Sequence, residues 1–115
     1  MMEAGARYFC IRPQGRIVAI AAAEINAEHQ NAEMTDFATL PGWRGRGLAG
    51  LLLCQLELTA RELGMKTAYT ISRAASKPMN AVFYSRGYAY AGFLRKNTRI
   101  GGRLESMTVW RKFLE

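Results

Sequence analysis

Residues Gly45-Arg46-Gly47-Leu48-Ala49-Gly50, inside the stretch LPGWRGRGLAGLLLCQLEL from Leu40 to Leu58, spell G-x-G-x-x-G at the start of an apolar run. Taken alone, that spacing is the dinucleotide-binding fingerprint, in which glycines let a backbone approach a pyrophosphate at a helix start. The fingerprint needs its first glycine at the end of a domain-opening strand, and an acidic residue about 20 positions later to hold the ribose hydroxyls. Neither is present. No Asp or Glu occurs between Glu62 and Glu105, and the loop follows three β-like segments instead of opening the chain. Arg73 has the charge to meet a 2′-phosphate, but 115 residues leave no length for a doubly wound sheet. A Walker A loop is excluded because no Gly-Lys-Ser/Thr follows the glycines.

Upstream of the loop, three segments rich in β-formers alternate with turn residues. Arg7 to Arg12 is followed by Pro13-Gln14-Gly15, Ile17 to Ile25 by the polar run Asn26 to Gln30, and Ala32 to Leu40 by Pro41-Gly42. They predict an antiparallel meander. From Gly47 the period changes: Leu48, Leu52, Leu56, Ala60 and Leu63 share one helical face, with Gln55, Glu57, Arg61 and Glu62 elsewhere, and Gly64 stands where a helix ends. Lys66 to Ile71 reads as a strand, so Ala32 to Ile71 is a strand, loop, helix, strand crossover that implies two parallel strands. After Pro78, Met79 to Arg86 predicts a second helix closed by Gly87. Strands follow at Tyr88 to Leu94 and Ser106 to Lys112, separated by a loop from Asn97 to Arg103.

One domain with one core is all that 115 residues allow. Half of the residues are hydrophobic and 22% charged, which predicts a packed globular fold. The longest apolar run, Ile17 to Ala23, falls far short of the ~20 residues that span a bilayer, and the first six residues lack signal-peptide character, so a cytoplasmic protein without membrane contact is expected. Cys10 and Cys54 lie too far apart for a C-x-x-C clamp and read as buried small hydrophobes; no metal site is expected. His29, the only histidine, reads as part of a solvated turn. Twelve arginines and four lysines against nine acids give a net charge of +7, which suits an anionic partner. A phosphorylated cosubstrate and nucleic acid both meet that description, and no zinc-finger or RNP pattern favours the second.

Read from Arg44, the loop Arg44-Gly45-Arg46-Gly47-Leu48-Ala49 resembles the Q/R-x-x-G-x-G/A motif of the GCN5-related N-acetyltransferases (GNAT), in the same strand–loop–helix setting. The resemblance runs from about Tyr8 to Lys112 and implies an α/β fold: a mixed, mostly antiparallel central sheet with flanking helices. It implies acetyl-CoA as cosubstrate and no metal, with the pyrophosphate at Arg44, Gly45, Arg46, Gly47, Leu48 and Ala49, where helix-start N–H groups meet an anion. Backbone groups of Ala38, Thr39 and Leu40 would bind the pantetheine arm and polarise the acetyl carbonyl. In NAVFYSRGY, Asn80 is the family's helix asparagine, and Tyr84 is the nearest candidate for the acid that protonates the departing thiolate. In strict register Phe83 holds the tyrosine position, so Tyr84 stands between an acid and a packing role.

Glu33 and Asp36 are the candidate carboxylates for receiving the proton of an amine acceptor; each is otherwise a solvated or ion-paired strand residue. Their odd spacing puts them on opposite faces of a regular strand, and the family has a bulge there that would change this. The strings AEMTDFATLP, PMNAVF, GYAYAGFLRKNTRI and GRLESMTVW together resemble the carboxy-terminal half of β-lysine N-acetyltransferases, which implies a small primary amine as substrate. The alternative is a non-catalytic basic module binding nucleic acid, a partner that the motifs do not support. The family places a strand and two helices before the hairpin that begins here near Arg7. Residues 1–115 are therefore expected to be a single acetyltransferase domain lacking amino-terminal elements, with exposed surface that favours a homodimer.

Overall fold

The computed structural model describes residues 5–114, with the side chains of 96–99 excepted. The chain divides into two compact units: one runs through Ala68 and takes in Phe113 and Leu114, and the other is Tyr69–Lys112.

In the first unit β1 (Gly5–Ile11), β2 (Ala19–Asn26) and β3 (Asn31–Thr39) form the antiparallel meander read from the turn residues. β2 begins two residues later than the apolar run suggests, and Ile17 lies outside it, half exposed. The centre of β2 is a row of alanines, Ala21 to Ala23, with no solvent-accessible surface. On the face that Ala21 and Ala23 share with Phe9, small side chains leave room for α1 (Leu48–Glu62), which contributes Leu52, Leu53, Leu56 and Ala60 to a core shared with Val18, Ala32 and Met34. A cleft of about 390 Å³ is lined by Phe9 and Ile11 of β1 and by Leu48, Leu51 and Leu52 of α1, so the helix lies on the Phe9 face of the meander.

The buried stripe of α1 is wider than the sequence reading. Glu57 is buried at 5% exposure and meets Arg61, one helical turn on, at 3.8 Å. Leu51, Cys54 and Leu58 instead form an exposed stripe, because the helix has only one face on the sheet. Cys10 is exposed as well, since β1 ends the sheet and its residues alternate outward. The expectation that both cysteines are buried is thus corrected. His29 does sit in a solvated turn, where its backbone N–H donates to Asn26 Oδ1 at 3.1 Å.

After the helix stops at Gly64 (φ +84°), Lys66 N–H donates to Gln30 O and Leu114 N–H donates to Lys66 O, both at 2.7 Å. β4 (Thr67–Arg73) follows, with Thr67 and Ala68 still in the first unit.

The second unit holds most of β4, then α2 (Lys77–Ser85), β5 (Ala89–Ile100) and β6 (Arg103–Phe113), whose last residue returns to the first unit. α2 starts two residues earlier than expected because Pro78 is accommodated at its second position, where the missing N–H has no helical acceptor to lose. Phe83 is buried and meets Tyr88 edge to face at 5.2 Å. The expected loop from Asn97 to Arg103 is not one: β5 and β6 pair antiparallel up to Ile100↔Arg103, closed by Gly101-Gly102 alone. Both glycines have positive φ, +59° and +80°, as a tight two-residue hairpin turn requires.

Candidate functional site

The glycine loop is built by its backbone angles. A short 3₁₀ turn, Pro41–Trp43, ends β3 and redirects the chain, and Gly45 and Gly47 then both adopt φ +77°. An L side chain is strained there. Crowding is not the reason for the glycines, since a Cβ at either position would meet nothing within 4 Å. The backbone is left bare to an incoming group. Gly47 caps α1 without any side-chain hydrogen bond, and no acid lies in the first turn. The opening N–H groups of this 15-residue helix therefore have neither an intrahelical acceptor nor a capping oxygen.

Two arginines flank that end, each fixed by one hydrogen bond. Arg44 Nε donates to Thr39 O at 3.1 Å, and Arg46 Nη2 donates to Gly42 O at 3.2 Å while its guanidinium lies 4.6 Å from the centre of the Trp43 ring. A guanidinium has five N–H donors, so both keep capacity for an anion after these bonds. Positive helix end, bare glycine backbone and two ordered cations are the donor set that a pyrophosphate needs. The residues present fit the pyrophosphate of coenzyme A.

Upstream, the carboxylates sit on a β-bulge. Between the pairs Ile20↔Ala38 and Ala22↔Thr35 β2 advances two residues and β3 three, so β3 carries one extra residue there. Asp36 takes it up with φ +57°, a left-handed conformation that Asp tolerates better than most residues. Directly opposed residues share a face, which groups Tyr8, Ala22 and Thr35 with Ala6, Glu24 and Glu33. The Tyr8 hydroxyl donates to Asp36 Oδ2 at 3.2 Å. Asp36 therefore presents its carboxylate on the Glu33 face, where regular alternation would have turned it to the Met34 face. The hydrogen bond to Asp36, then its charge, hold the Tyr8 phenol above its usual 10.0. Ala38 is exposed and Thr39 and Leu40 are half-buried; Thr39 O is taken by Arg44, and Leu40 N–H donates to Val18 O at 2.9 Å.

In the second unit, Asn80 is bound up with its own surroundings. Its Oδ1 accepts from Ser72 Oγ at 2.7 Å and Trp110 Nε1 at 2.8 Å, and its Nδ2 donates to Ser76 O at 2.9 Å and Arg73 O at 3.1 Å. The amide ties β4, the turn after it, α2 and β6 together. Tyr84 is 73% exposed, one residue on from the buried Phe83. Tyr8 is the partner of a candidate site residue that sequence reasoning missed: it lies 28 positions from Asp36, and no local pattern links them. Among the described residues, no group of His, Cys, Asp and Glu is placed to hold a metal ion, and no helix is long and apolar enough to cross a membrane.

Residues 2–88 match the acetyltransferase (GNAT) family. This chain belongs to that family. It is 39% identical over 113 residues to the β-lysine N(6)-acetyltransferase of Methanosarcina mazei and 38% identical over 114 residues to that of Methanococcus maripaludis. N-acetyltransferase YodP of Bacillus subtilis is 39% identical over 113 residues. These alignments cover 98%, 99% and 98% of this chain but 42%, 42% and 41% of the relatives, so the chain spans about two fifths of their length. Among solved structures, the fold is similar to the ribosomal-protein-S18-alanine N-acetyltransferase of Escherichia coli (TM-score 0.84, 20% identity, 96% of this chain and 70% of that one). It is also similar to the spermidine/spermine N-acetyltransferase SpeG of Vibrio cholerae (TM-score 0.85, 19% identity, 96% and 68%). At such identities the likeness speaks for the fold: the GNAT-like α/β sheet and helices expected from the sequence.

Proposed function

We propose that this protein transfers the acetyl group of acetyl-CoA to a primary amine, and that the amine is the side-chain amine of β-lysine or a close analogue. The observation that carries the reading is the Arg44–Ala49 loop, where uncapped helix N–H groups, positive-φ glycines and two ordered arginines converge on an anion position. The GNAT family is built around acetyl-CoA, and two of the curated relatives bear the β-lysine name.

The thioester supplies an activated acetyl group. What the chain must supply is position, charge and a proton path. The loop holds the pyrophosphate, and backbone groups at Ala38 to Leu40 take the pantetheine arm, with Leu40 N–H already spent on Val18 O. An amine of pKa near ~10.4 costs roughly 4.6 kcal/mol to deprotonate at pH 7, at 1.36 kcal/mol per unit. Asp36 and Glu33, brought to one sheet face by the bulge, attract the ammonium and accept its proton directly or through water. The amine nitrogen then forms the new N–C bond as the C–S bond breaks; the thiolate takes a proton from Tyr84 or water, and the second proton leaving the nitrogen passes through solvent to restore that acid.

Calorimetry with acetyl-CoA and NADPH in parallel, followed by a thiol-release assay on β-lysine and a panel of diamines, tests the proposal. Acetyl-CoA binding and amine-dependent thiol release are expected. Binding of NADPH in place of acetyl-CoA, or thiol release indifferent to every amine, would overturn it.

A further inference from the structure

We infer that Tyr8 is a positioning residue of this site: its hydroxyl holds the Asp36 carboxylate on the amine-facing side of the meander. The inference rests on the acetyltransferase reading above and deepens it. Asp36 cannot be placed by its own strand. It stands in the one extra residue of the bulge at φ +57°, exposed, with no ladder register to decide which way its side chain leaves. The constraint comes from two strands away, where the Tyr8 hydroxyl reaches across β2 to Asp36 Oδ2 at 3.2 Å. The path is open because the β2 residue opposite Tyr8 is Ala22, whose methyl leaves room for the phenol to cross the strand.

A structural motive for this tyrosine is weak. Tyr8 is 63% exposed and adds little to the core. Its hydroxyl is spent on a carboxylate, and a hydrogen bond to an ionised group is of the stronger kind. Glu24, whose charge is felt at the phenol, and Glu33 are directly opposed across β2 and β3 on the face that Tyr8 shares. A carboxylate without a tether would turn away from these two negative neighbours. Tyr8 keeps Asp36 on their face of the sheet, so that an incoming ammonium meets negative charge and a base in fixed geometry.

The test is a double-mutant cycle on the full chain, with Tyr8→Phe, Asp36→Asn and the pair. Asn tolerates the left-handed backbone as Asp does, so the bulge survives the substitution. Asp36→Asn is expected to lower kcat about a hundredfold. Tyr8→Phe should lower it about three- to tenfold with acetyl-CoA affinity unchanged, and should cost nothing further when Asn occupies position 36. A second readout needs no turnover: in protein with labelled tyrosine rings, the Tyr8 carbon resonance should titrate at lower pH in Asp36→Asn than in the wild type. Equal cost of Tyr8→Phe in both backgrounds, or a Tyr8 titration indifferent to Asp36, would overturn the inference. Absence of turnover with any amine, with the Tyr8–Asp36 coupling still seen in the titration, would instead sink the acetyltransferase reading on which it rests.

Discussion

Tyr84 of α2 packs edge to face against Trp110 of β6, with ring centroids 6.3 Å apart, and Trp110 makes the same kind of contact with Tyr90 at 6.1 Å. The ring is thereby held while its body stays 73% exposed. Position and chemistry can be separated by substitution. Tyr84→Phe keeps the ring contact and removes only the hydroxyl, so turnover should fall by ~10²-fold or more if this hydroxyl protonates the thiolate. Tyr84→Ala should add a loss of stability of about 1 kcal/mol from the lost aromatic contact. Steady-state kinetics and urea denaturation of both variants give the answer. Unchanged turnover in Tyr84→Phe would leave water as the acid and Tyr84 as a packing residue.

The Asn80 amide bonds five groups of its own unit, Ala74 O at 3.4 Å among them, so its removal should be felt in stability first. Asn80→Ala leaves Trp110 Nε1 and Ser72 Oγ without this acceptor, while the carbonyls of Ser76 and Arg73 lose a side-chain donor and keep a backbone N–H each, from Asn80 and Ser76. A loss of about 2–3 kcal/mol is expected in denaturant unfolding, accompanied by a shift in tryptophan emission. Asn80→Asp keeps the acceptor and should lose less. Wild-type stability in Asn80→Ala, with acetyl-CoA affinity reduced, would show that the amide serves the cosubstrate instead.

The Tyr8–Asp36 pair also makes a prediction about alkaline pH. The folded phenol is raised above 10.0 by the Asp36 hydrogen bond and charge. A group raised on folding contributes stability below its unfolded pKa of about 10 and loses that contribution as pH rises through the folded value. The stability difference between wild type and Tyr8→Phe should thus be constant from neutral pH to about 9 and shrink above about 10. Urea midpoints at several pH values measure it. A difference that grows with alkalinity would have the wrong sign for this hydrogen bond.

Where the fold was legible, a local rule carried it. Pro13-Gln14-Gly15 and Pro41-Gly42 end strands by fixing φ or removing donors, and the change from strand pattern to helical period after Gly47 marks α1 within a residue. On α1 the misses share one cause, which is that the deciding contact is distant in sequence. Glu57 is buried because the sheet covers a wider stripe than the leucines define, and Cys54 is exposed because that stripe stops short of it. The bulge at Asp36 was legible only through the family resemblance, because no residue pattern in β3 announces it and the positive φ at Asp36 shows in the register with β2. The β5–β6 hairpin was hidden by polar and basic residues in its strands, although Gly101-Gly102 carried the turn signal.

The glycine loop offers the sharpest separation of stability from binding. At Gly47, φ is +77° and a Cβ would meet no atom within 4 Å. Gly47→Ala should therefore cost about 1–2 kcal/mol through backbone strain alone, without a steric clash inside the protein. Its effect on acetyl-CoA should exceed that, because the methyl enters the space an anion would occupy over the first turn of α1. Gly47→Glu adds a negative charge at the same place and should abolish binding while the chain still folds. Arg46→Ala, which removes the guanidinium over Trp43, should weaken affinity about tenfold, with Arg46→Lys falling between. Calorimetric titration of the four variants, each checked for folding by circular dichroism, ranks them. Folded Gly47→Glu protein that binds acetyl-CoA like the wild type would show that the pyrophosphate does not sit on this loop, and the proposed activity would lose its main support.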